Sequence, residues 1–255
     1  MKILLLTVAG MSTRFSSSLG KSCLKCIYYE NNFKESILYN IISKDVYFDK
    51  YVIVGGYRFQ ELKDAVYTEL QQYADKIHLI ENHNHLKGGC YACRSAVYKG
   101  LEFIQQDQFD EIVFAEGDLY VDDISFVDVC DSKKNVVTCN TEPILANKAV
   151  AYYYDKDYKL HYIYDTAHET LCVKEEFRGI FNSGQIWKFI EPERVRKIYK
   201  QMKSDEWKDT NLRFIQHYFG DMNKEKYEII QLRDWINCNT IEDYKKILQL
   251  KIRKG

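Results

Sequence analysis

A short apolar run at the start of the chain, Ile3 to Ala9, most constrains how this sequence can fold. A continuous run of this length, without alternation, is typical of a strand buried on both faces of a parallel sheet. The run breaks at Gly10 into small and polar residues that include Arg14 and Lys21, and a helix-forming segment follows over Lys34–Ser43. A strand, a small-residue loop with cations and then a helix is a phosphate-binding arrangement, because small residues let backbone N–H groups approach an anion.

This loop matches neither of the two common phosphate-binding motifs, since it lacks both Gly-x-x-x-x-Gly-Lys-Ser/Thr and Gly-x-Gly-x-x-Gly. Two other interpretations stay open: a plain polar connection between strand and helix, or the start of a secretory signal peptide. The signal peptide is disfavoured, because the apolar run is at the short limit for such a segment.

The sequence Ala9-Gly10-Met11-Ser12-Thr13-Arg14 resembles the loop of the nucleotidyltransferase superfamily that activates sugar phosphates and phosphocholine. In that superfamily a lysine follows shortly before a leucine. The resemblance implies that this lysine is Lys21, three residues before Leu24, and Lys25 is the alternative. It also implies that Arg14 and Lys21 are catalytic and that the nucleotide contacts five loop residues: Ala9, Gly10, Met11, Ser12 and Thr13.

The charge balance and the hydropathy exclude two classes of partner. The chain has 36 basic and 37 acidic residues and a net charge of −1, so nucleic-acid binding driven by a basic surface is not expected. No apolar run approaches the roughly 18 residues of a membrane span, so no membrane partner is expected. With the signal peptide disfavoured, we expect a cytoplasmic protein.

The eight cysteines are expected to be free thiols in a reducing cytoplasm. Two Cys-x-x-Cys pairs, Cys23/Cys26 and Cys90/Cys93, have the spacing of a four-thiolate zinc site. The pairs lie far apart in the sequence, and no Gly or Pro turn surrounds the first. We therefore favour buried or half-buried thiols near the nucleotide loop over a zinc site.

Strand and helix patterns alternate through the first half of the chain, which predicts a parallel sheet with right-handed crossovers. The predicted strands are Tyr51–Gly56, Ile77–Ile80, Ile112–Ala115, Val136–Cys139, Ala149–Tyr154 and Leu160–Tyr164. The predicted helices after Lys34–Ser43 are Phe59–Asp75, Cys90–Gln105, Glu193–Lys203 and Glu206–Tyr218.

The loop before the Cys90–Gln105 helix is the expected site of base recognition. In the resembling superfamily this loop and the start of the helix hold the nucleotide base, which implies contacts at Gly88, Gly89 and Ser95. Phosphocholine cytidylyltransferases tend to have asparagines where this chain has Tyr91 and Ala92, so the identity of the base stays open.

Two further blocks carry candidate metal ligands. Asp118 follows the buried strand Ile112–Ala115, at the carboxyl end where open α/β sheets bind ligands, and the resemblance makes it the principal Mg²⁺ ligand. Asn239 stands where the superfamily often has a second ligating aspartate. The alternative for Asn239 or Thr240 is a helix cap, with Asp243 near the helix N-terminus, and both roles can hold together.

These blocks, in the same order as in the superfamily, imply a single domain over residues 1–255 of the GT-A-type (Rossmann-like) three-layer α/β/α class, with a mixed, mostly parallel central sheet. The implied activity is Mg²⁺-dependent transfer of a nucleotidyl group from an NTP, with CTP favoured, to a small phosphorylated or phosphonate acceptor. Pyrophosphate leaves, and the product would be an activated precursor for a surface glycan. The segment from Glu176 to Phe189 resembles the lining of the acceptor pocket.

Two alternatives on the same fold remain, an NDP-sugar-using glycosyltransferase and a non-catalytic nucleotide sensor. The glycosyltransferase is disfavoured because Asp118-Leu119-Tyr120 supplies no Asp-x-Asp. The tyrosines of Tyr152–Tyr154 and Trp187 could cage a quaternary ammonium, although packing is the commoner use of such residues.

Overall fold

The structure, a computed structural model, describes residues 1–44, 46–87, 89–145, 150–163, 171–173, 175–208 and 210–254. Of residues 87, 89–96, 208, 253 and 254 it describes the backbone alone. The strands are β1 (Lys2–Thr7), β2 (Lys50–Gly55), β3 (Ile77–Glu81), β4 (Glu111–Glu116), β5 (Leu119–Val121), β6 (Asn135–Asn140), β7 (Ala151–Asp155), β8 (Leu160–Tyr162), β9 (Phe177–Phe189), β10 (Tyr227–Gln231) and β11 (Trp235–Asn237). The α-helices are α1 (Thr13–Leu19), α2 (Ile37–Ile42), α3 (Phe59–Glu69), α4 (Gly89–Ile104), α5 (Asp123–Asp131), α6 (Pro192–Gln201), α7 (Leu212–Phe219) and α8 (Ile241–Lys254).

The central sheet has the strand order β10-β6-β9-β4-β1-β2-β3, with β7 and β8 added through β9. Strands β4, β1, β2 and β3 pair in parallel, as do β6 and β10, whereas β9 runs antiparallel to both β4 and β6. The carboxyl ends of the parallel strands therefore lie along one edge of the sheet. A separate antiparallel pair, β5 and β11, follows β4 and precedes α8.

Strand β1 is buried on both faces, as its unbroken apolar sequence predicts. Ile3, Leu4, Leu5 and Leu6 are each at most 1% exposed, and alternate side chains enter two different hydrophobic clusters. Burial of each such side chain stabilises the fold by about 1.5–3 kcal/mol, so the strand that leads into the loop is firmly anchored.

Helices cover both faces of the sheet. One cluster joins the sheet to α1, α2, α3, α5 and α8, with Phe15, Leu62 and Tyr244 among its buried members. The other joins it to α4, α6 and α7, through residues such as Leu101 and Phe214. The predicted three-layer α/β/α class with a mixed central sheet is confirmed.

Several predicted element bounds were wrong, each for a local reason. The segment predicted as a loop after Arg14 begins as helix α1, and Gly20, in the left-handed region at φ 76°, ends it. The predicted helix Lys34–Ser43 is a 3₁₀ turn followed by α2, because the Ser36 side chain caps a new helix by accepting from the Tyr39 N–H.

Two other predicted helices, Phe59–Asp75 and Glu206–Tyr218, are also shorter in the structure than predicted. The helix predicted to reach Asp75 ends at Glu69, and tighter 3₁₀ turns over Gln71–Lys76 follow. The helix predicted over Glu206–Tyr218 is a 3₁₀ turn over Glu206–Lys208 and, after Asn211, helix α7. No helix among the described residues has both the length and the apolar character needed to cross a membrane.

Candidate active site

The loop between β1 and α1 lies at the carboxyl edge of the sheet. The Val8 N–H donates to Val54 O of β2, and the Gly117 N–H donates to Thr7 O, so the neighbouring strands hold the start of the loop in place. Within the described residues, the backbone N–H groups of Gly10–Thr13 donate no hydrogen bond. Such unused donors are what a phosphate group requires.

One cleft brings three distant parts of the sequence together. Its lining residues are Thr7–Phe15, Leu24–Cys26, Glu116–Asp118 and Asn239. The predicted loop residues, Arg14, Asp118 and Asn239 therefore share one cavity. Lys21 is exposed and is not among the lining residues, whereas Lys25 is.

Lys25 is the central cation of this cleft. Its Nζ lies 2.7 Å from Asp118 Oδ2 and 3.2 Å from Asn239 Oδ1, and its side chain is only 15% exposed. Its backbone N–H donates to Ser12 Oγ in the loop at 3.2 Å. The neighbours Leu24 and Cys26 are buried, so the backbone at Lys25 is held against the cleft.

Asn239 is oriented by its own neighbours. Its Nδ2 donates to Asn237 Oδ1 at 2.8 Å, so that its Oδ1 faces the cleft and accepts from Lys25 and from Arg14 Nη2 at 2.8 Å. The amide oxygen is thus presented to two cations.

The capping interpretation of this segment also holds, and the cap is Thr240. Its Oγ1 accepts from the Asp243 N–H at 3.2 Å, and the Asp243 carboxylate accepts from the backbone N–H groups of both Asn239 and Thr240. This reciprocal pattern begins α8. Because Thr240 and Asp243 supply it, the Asn239 side chain remains available to the cleft.

The donor set at Asp118 fits a hard divalent cation. Its Oδ1 is buried and has no hydrogen-bond partner among the described residues, while Oδ2 accepts a hydrogen bond from the Lys25 ammonium. A carboxylate and an amide oxygen are ligands that Mg²⁺ accepts, and Mg²⁺ binds few protein groups because it keeps several waters. Among the described residues, no group of three or more His, Cys, Asp or Glu side chains is arranged to bind a metal ion.

Glu116 adds a second carboxylate to the cleft, one that no sequence motif had marked as functional. Its Oε1 accepts from Asn211 Nδ2 at 2.6 Å. Burial, together with the negative charge of Asp118, raises the pKa of Glu116. The Glu-Gly-Asp triplet is visible in the sequence, but nothing local marks Asn211, which reaches Glu116 across 95 residues.

The remaining predicted residues fall outside this cleft or outside what the structure describes. Gly88 lies outside the described residues, and of Gly89 and Ser95 only the backbone at the start of α4 is described. The side chains of Cys90 and Cys93 are likewise not described. The acceptor segment lies mostly in β9, where Ile186 to Phe189 pair with β4 and Asn182 to Lys188 run beside β6.

The thiols of the first Cys-x-x-Cys pair are free. Burial raises the pKa of Cys26 to about 12 and also raises the pKa of Cys23, so both are protonated at neutral pH. The aromatic residues Tyr152–Tyr154 and Trp187 are core residues, at most 8% exposed, and therefore form no open cage.

Three solved structures that share this fold are named as nucleotidyltransferases. A Bacillus anthracis protein named as a glucose-1-phosphate thymidylyltransferase and crystallised with sucrose has a TM-score of 0.69 at 12% identity, covering 98% of this chain and 95% of its own. The inositol-1-phosphate CTP transferase from T. maritima has a TM-score of 0.65 at 13% identity, with coverages of 98% and 96%. The CTP:phosphocholine cytidylyltransferase from Streptococcus pneumoniae has a TM-score of 0.61 at 13% identity, with coverages of 98% and 98%.

These likenesses confirm the predicted resemblance to nucleotidyltransferases at the level of the fold. No curated protein sequence matches the chain. A family model described as a domain of unknown function (DUF6564) matches residues 21–251. Since the match spans most of the sequence, the chain belongs to this family.

Proposed function

We propose that this chain is a Mg²⁺-dependent nucleotidyltransferase that joins an NTP, with CTP favoured, to a small phosphorylated or phosphonate acceptor. The supporting observation is the convergence of three distant segments on one cleft. The loop Gly10–Thr13 offers unused N–H donors, Arg14 and Lys25 offer positive charge, and Asp118 with Asn239 offers oxygen ligands. The product would be an activated phosphocholine-like or sugar precursor, of the kind used for surface glycans.

The reaction is a displacement at phosphorus. A phosphate or phosphonate oxygen of the acceptor attacks the α-phosphorus of the NTP. The new P–O bond forms as the bond from the α-phosphorus to the bridging oxygen breaks, and pyrophosphate leaves with that oxygen. Such a transfer requires positioning and charge neutralisation rather than a protein nucleophile, which fits a cleft in which the lining thiol, Cys26, is buried and protonated.

Each group in the cleft has a distinct role in this proposal. The N–H groups of Gly10–Thr13 cradle phosphate oxygens, and Arg14 holds the β- and γ-phosphates and stabilises the departing pyrophosphate. Lys25 neutralises the α-phosphate, a role that we assign to it rather than to Lys21 because its Nζ lies inside the cleft. Asp118 and Asn239 would hold Mg²⁺, which supplies positive charge to the α-phosphate and the acceptor.

The preference for CTP depends on comparison rather than on side-chain contacts. Two of the three similar structures are named for CTP, and the sequence resembles phosphocholine cytidylyltransferases. Base contacts at Gly88, Gly89 and Ser95, around the N-terminus of α4, remain part of the proposal.

The test is release of pyrophosphate from a matrix of substrates. The purified protein with MgCl₂ is mixed with CTP, UTP, ATP, GTP or dTTP, and with phosphocholine, inositol-1-phosphate, glucose-1-phosphate or 2-aminoethylphosphonate. We expect CTP and one acceptor to yield equal amounts of pyrophosphate and nucleotidylated product. The Asp118→Asn variant should be inactive while its circular dichroism spectrum is unchanged.

Other outcomes would identify the alternatives. Transfer from NDP-sugars without pyrophosphate release would indicate a glycosyltransferase. Tight NTP binding without turnover, for every acceptor in the matrix, would indicate a nucleotide sensor. Either result would contradict the proposed function.

A further inference from the structure

We propose that Lys25 serves as the resident cation of the nucleotide-free site, so that divalent metal and nucleotide bind as a unit. In this proposal Mg²⁺ does not bind the empty cleft strongly, because the Lys25 ammonium already holds the oxygens of Asp118 and Asn239. The phosphates of an incoming Mg–NTP complex take the ammonium over and free those oxygens. The inference rests on the proposed function and specifies the form in which the substrate is bound.

The Lys25 ammonium contacts both of the side chains that would bind the metal. Lys25 Nζ lies 2.7 Å from Asp118 Oδ2 and 3.2 Å from Asn239 Oδ1. These are the same two side chains that the cleft offers to a metal. A cation that coordinates both must compete with the ammonium group for their oxygens, since the Mg–O distance is only about 2.0–2.1 Å.

The positive charge of the cleft disfavours a divalent cation that enters alone. Without nucleotide, a divalent cation would enter a cleft that already holds the charges of Lys25 and Arg14. At close range in a partly buried site, such like charges repel strongly. A triphosphate carries negative charge for both cations and the metal, so nucleotide and metal should each tighten the binding of the other by the same factor.

The Lys25 ammonium can change partners while its backbone stays in place. The Lys25 backbone is fixed by its hydrogen bond to Ser12 Oγ and by the burial of Leu24 and Cys26 on either side. Ser12 belongs to the loop that would cradle the phosphates. The ammonium can therefore pass from Asp118 to a phosphate by rotation of the side chain, without movement of a domain.

A purely structural ion pair is the competing explanation, and the chain contains a matched control for it. Lys50 Nζ lies 2.7 Å from Asp107 Oδ2, and the two side chains are 15% and 23% exposed, the same values as for Lys25 and Asp118. Lys50→Met thus removes an equivalent ion pair outside the cleft.

The test measures Mn²⁺ binding by electron paramagnetic resonance, with and without α,β-methylene-CTP, which cannot react at the α-phosphorus. Wild type and Lys50→Met should bind Mn²⁺ weakly alone and much more tightly with the analogue. Lys25→Met should bind Mn²⁺ alone about 10-fold or more tightly than wild type, a factor within the usual range of coupling between sites. The further increase in Mn²⁺ affinity that the analogue gives to Lys25→Met should be smaller than in wild type. Asp118→Asn should lose Mn²⁺ binding both alone and in combination with Lys25→Met.

The proposal is overturned if Lys25→Met binds Mn²⁺ alone no more tightly than Lys50→Met. Lys25→Gln, which keeps a polar side chain, provides a second variant if Lys25→Met is unfolded by circular dichroism. The Mn²⁺ measurement requires no turnover. If the protein releases no pyrophosphate but Lys25→Met binds Mn²⁺ more tightly, the proposed function is refuted and this inference stands. If the protein releases pyrophosphate but Lys25→Met does not bind Mn²⁺ more tightly, this inference is refuted and the proposed function stands.

Discussion

Gly117, between Glu116 and Asp118, is the position where a single methyl group should disturb both stability and the candidate site. A Cβ at this residue would lie 2.2 Å from Val8 Cγ1 and 3.0 Å from Thr7 O. Val8 is buried and β-branched, and Thr7 O already accepts the Gly117 N–H at 3.0 Å, so neither neighbour can move independently. In Gly117→Ala, therefore, β4 must shift relative to β1.

The cost of the Gly117→Ala change follows from this crowding. Extra carbon in a packed region typically destabilises a protein by about 1–3 kcal/mol. The lower entropy of the unfolded alanine chain offsets about 0.4–1 kcal/mol. We expect a net loss of about 1–2 kcal/mol, which corresponds to a fall in Tm of roughly 2–8 °C for a chain of this size. Because Asp118 is the next residue, a displacement approaching 1 Å should also lower kcat by up to about 10²-fold.

The assay is thermal and urea unfolding followed by circular dichroism, with Gly179→Ala as control. A Cβ at Gly179 would lie no closer than 3.4 Å to Phe181, an ordinary contact, so this variant should be neutral or slightly stabilised. Equal stability of the two variants would refute the argument from packing at Gly117.

Three further predictions concern the cleft. Lys25→Ala should lower kcat by about 10²–10³-fold, as expected for a lost charge-stabilising contact, whereas Lys21→Ala should change kcat little. If steady-state kinetics show the opposite pattern, the lysine that neutralises the α-phosphate is Lys21. Asn239→Asp should retain activity, because the new carboxylate would face Arg14 and Lys25, and complete loss of turnover would contradict a ligand role. The pKa of Glu116 is higher in the folded protein than the ordinary glutamate value of about 4.3, which applies to the unfolded chain. Wild type should therefore lose stability as the pH rises from about 4.3 through the folded-state pKa, by about 1.4 kcal/mol for each unit by which the two pKa values differ. Glu116→Gln, which cannot ionise, should therefore gain stability relative to wild type between pH 5 and pH 8 in urea unfolding, and parallel pH profiles would refute the assignment.

Local sequence was sufficient for the elements whose signals are local. The unbroken apolar run predicted β1, and the polar residues after Ala9 predicted the loop that follows it. Helix bounds were less predictable. Periodicity continued through Leu70 and across Asn211, where the folded chain instead makes tight turns.

The partners within the cleft could be predicted only as a set of separate blocks. The motif around Arg14, the acidic residue after β4 and the segment before α8 were each visible, and their common location followed from the rule that ligands bind at the carboxyl edge of a parallel sheet. The contact between Glu116 and Asn211 was not predictable, because it joins residues that are remote in sequence and carry no motif.

By itself, then, the sequence determined the layered α/β class and identified three segments that line the cleft, namely the loop after β1, Asp118 and Asn239. Only the tertiary structure decided which lysine enters the cleft. Lys21 and Lys25 lie only four positions apart, and the sequence alone does not distinguish them. Their positions differ because Gly20 ends α1, and Leu24 and Cys26 then enter the core. That packing leaves Lys21 in solvent and places Lys25 against Asp118, because burial of its apolar neighbours fixes the backbone where the ammonium reaches the carboxylate.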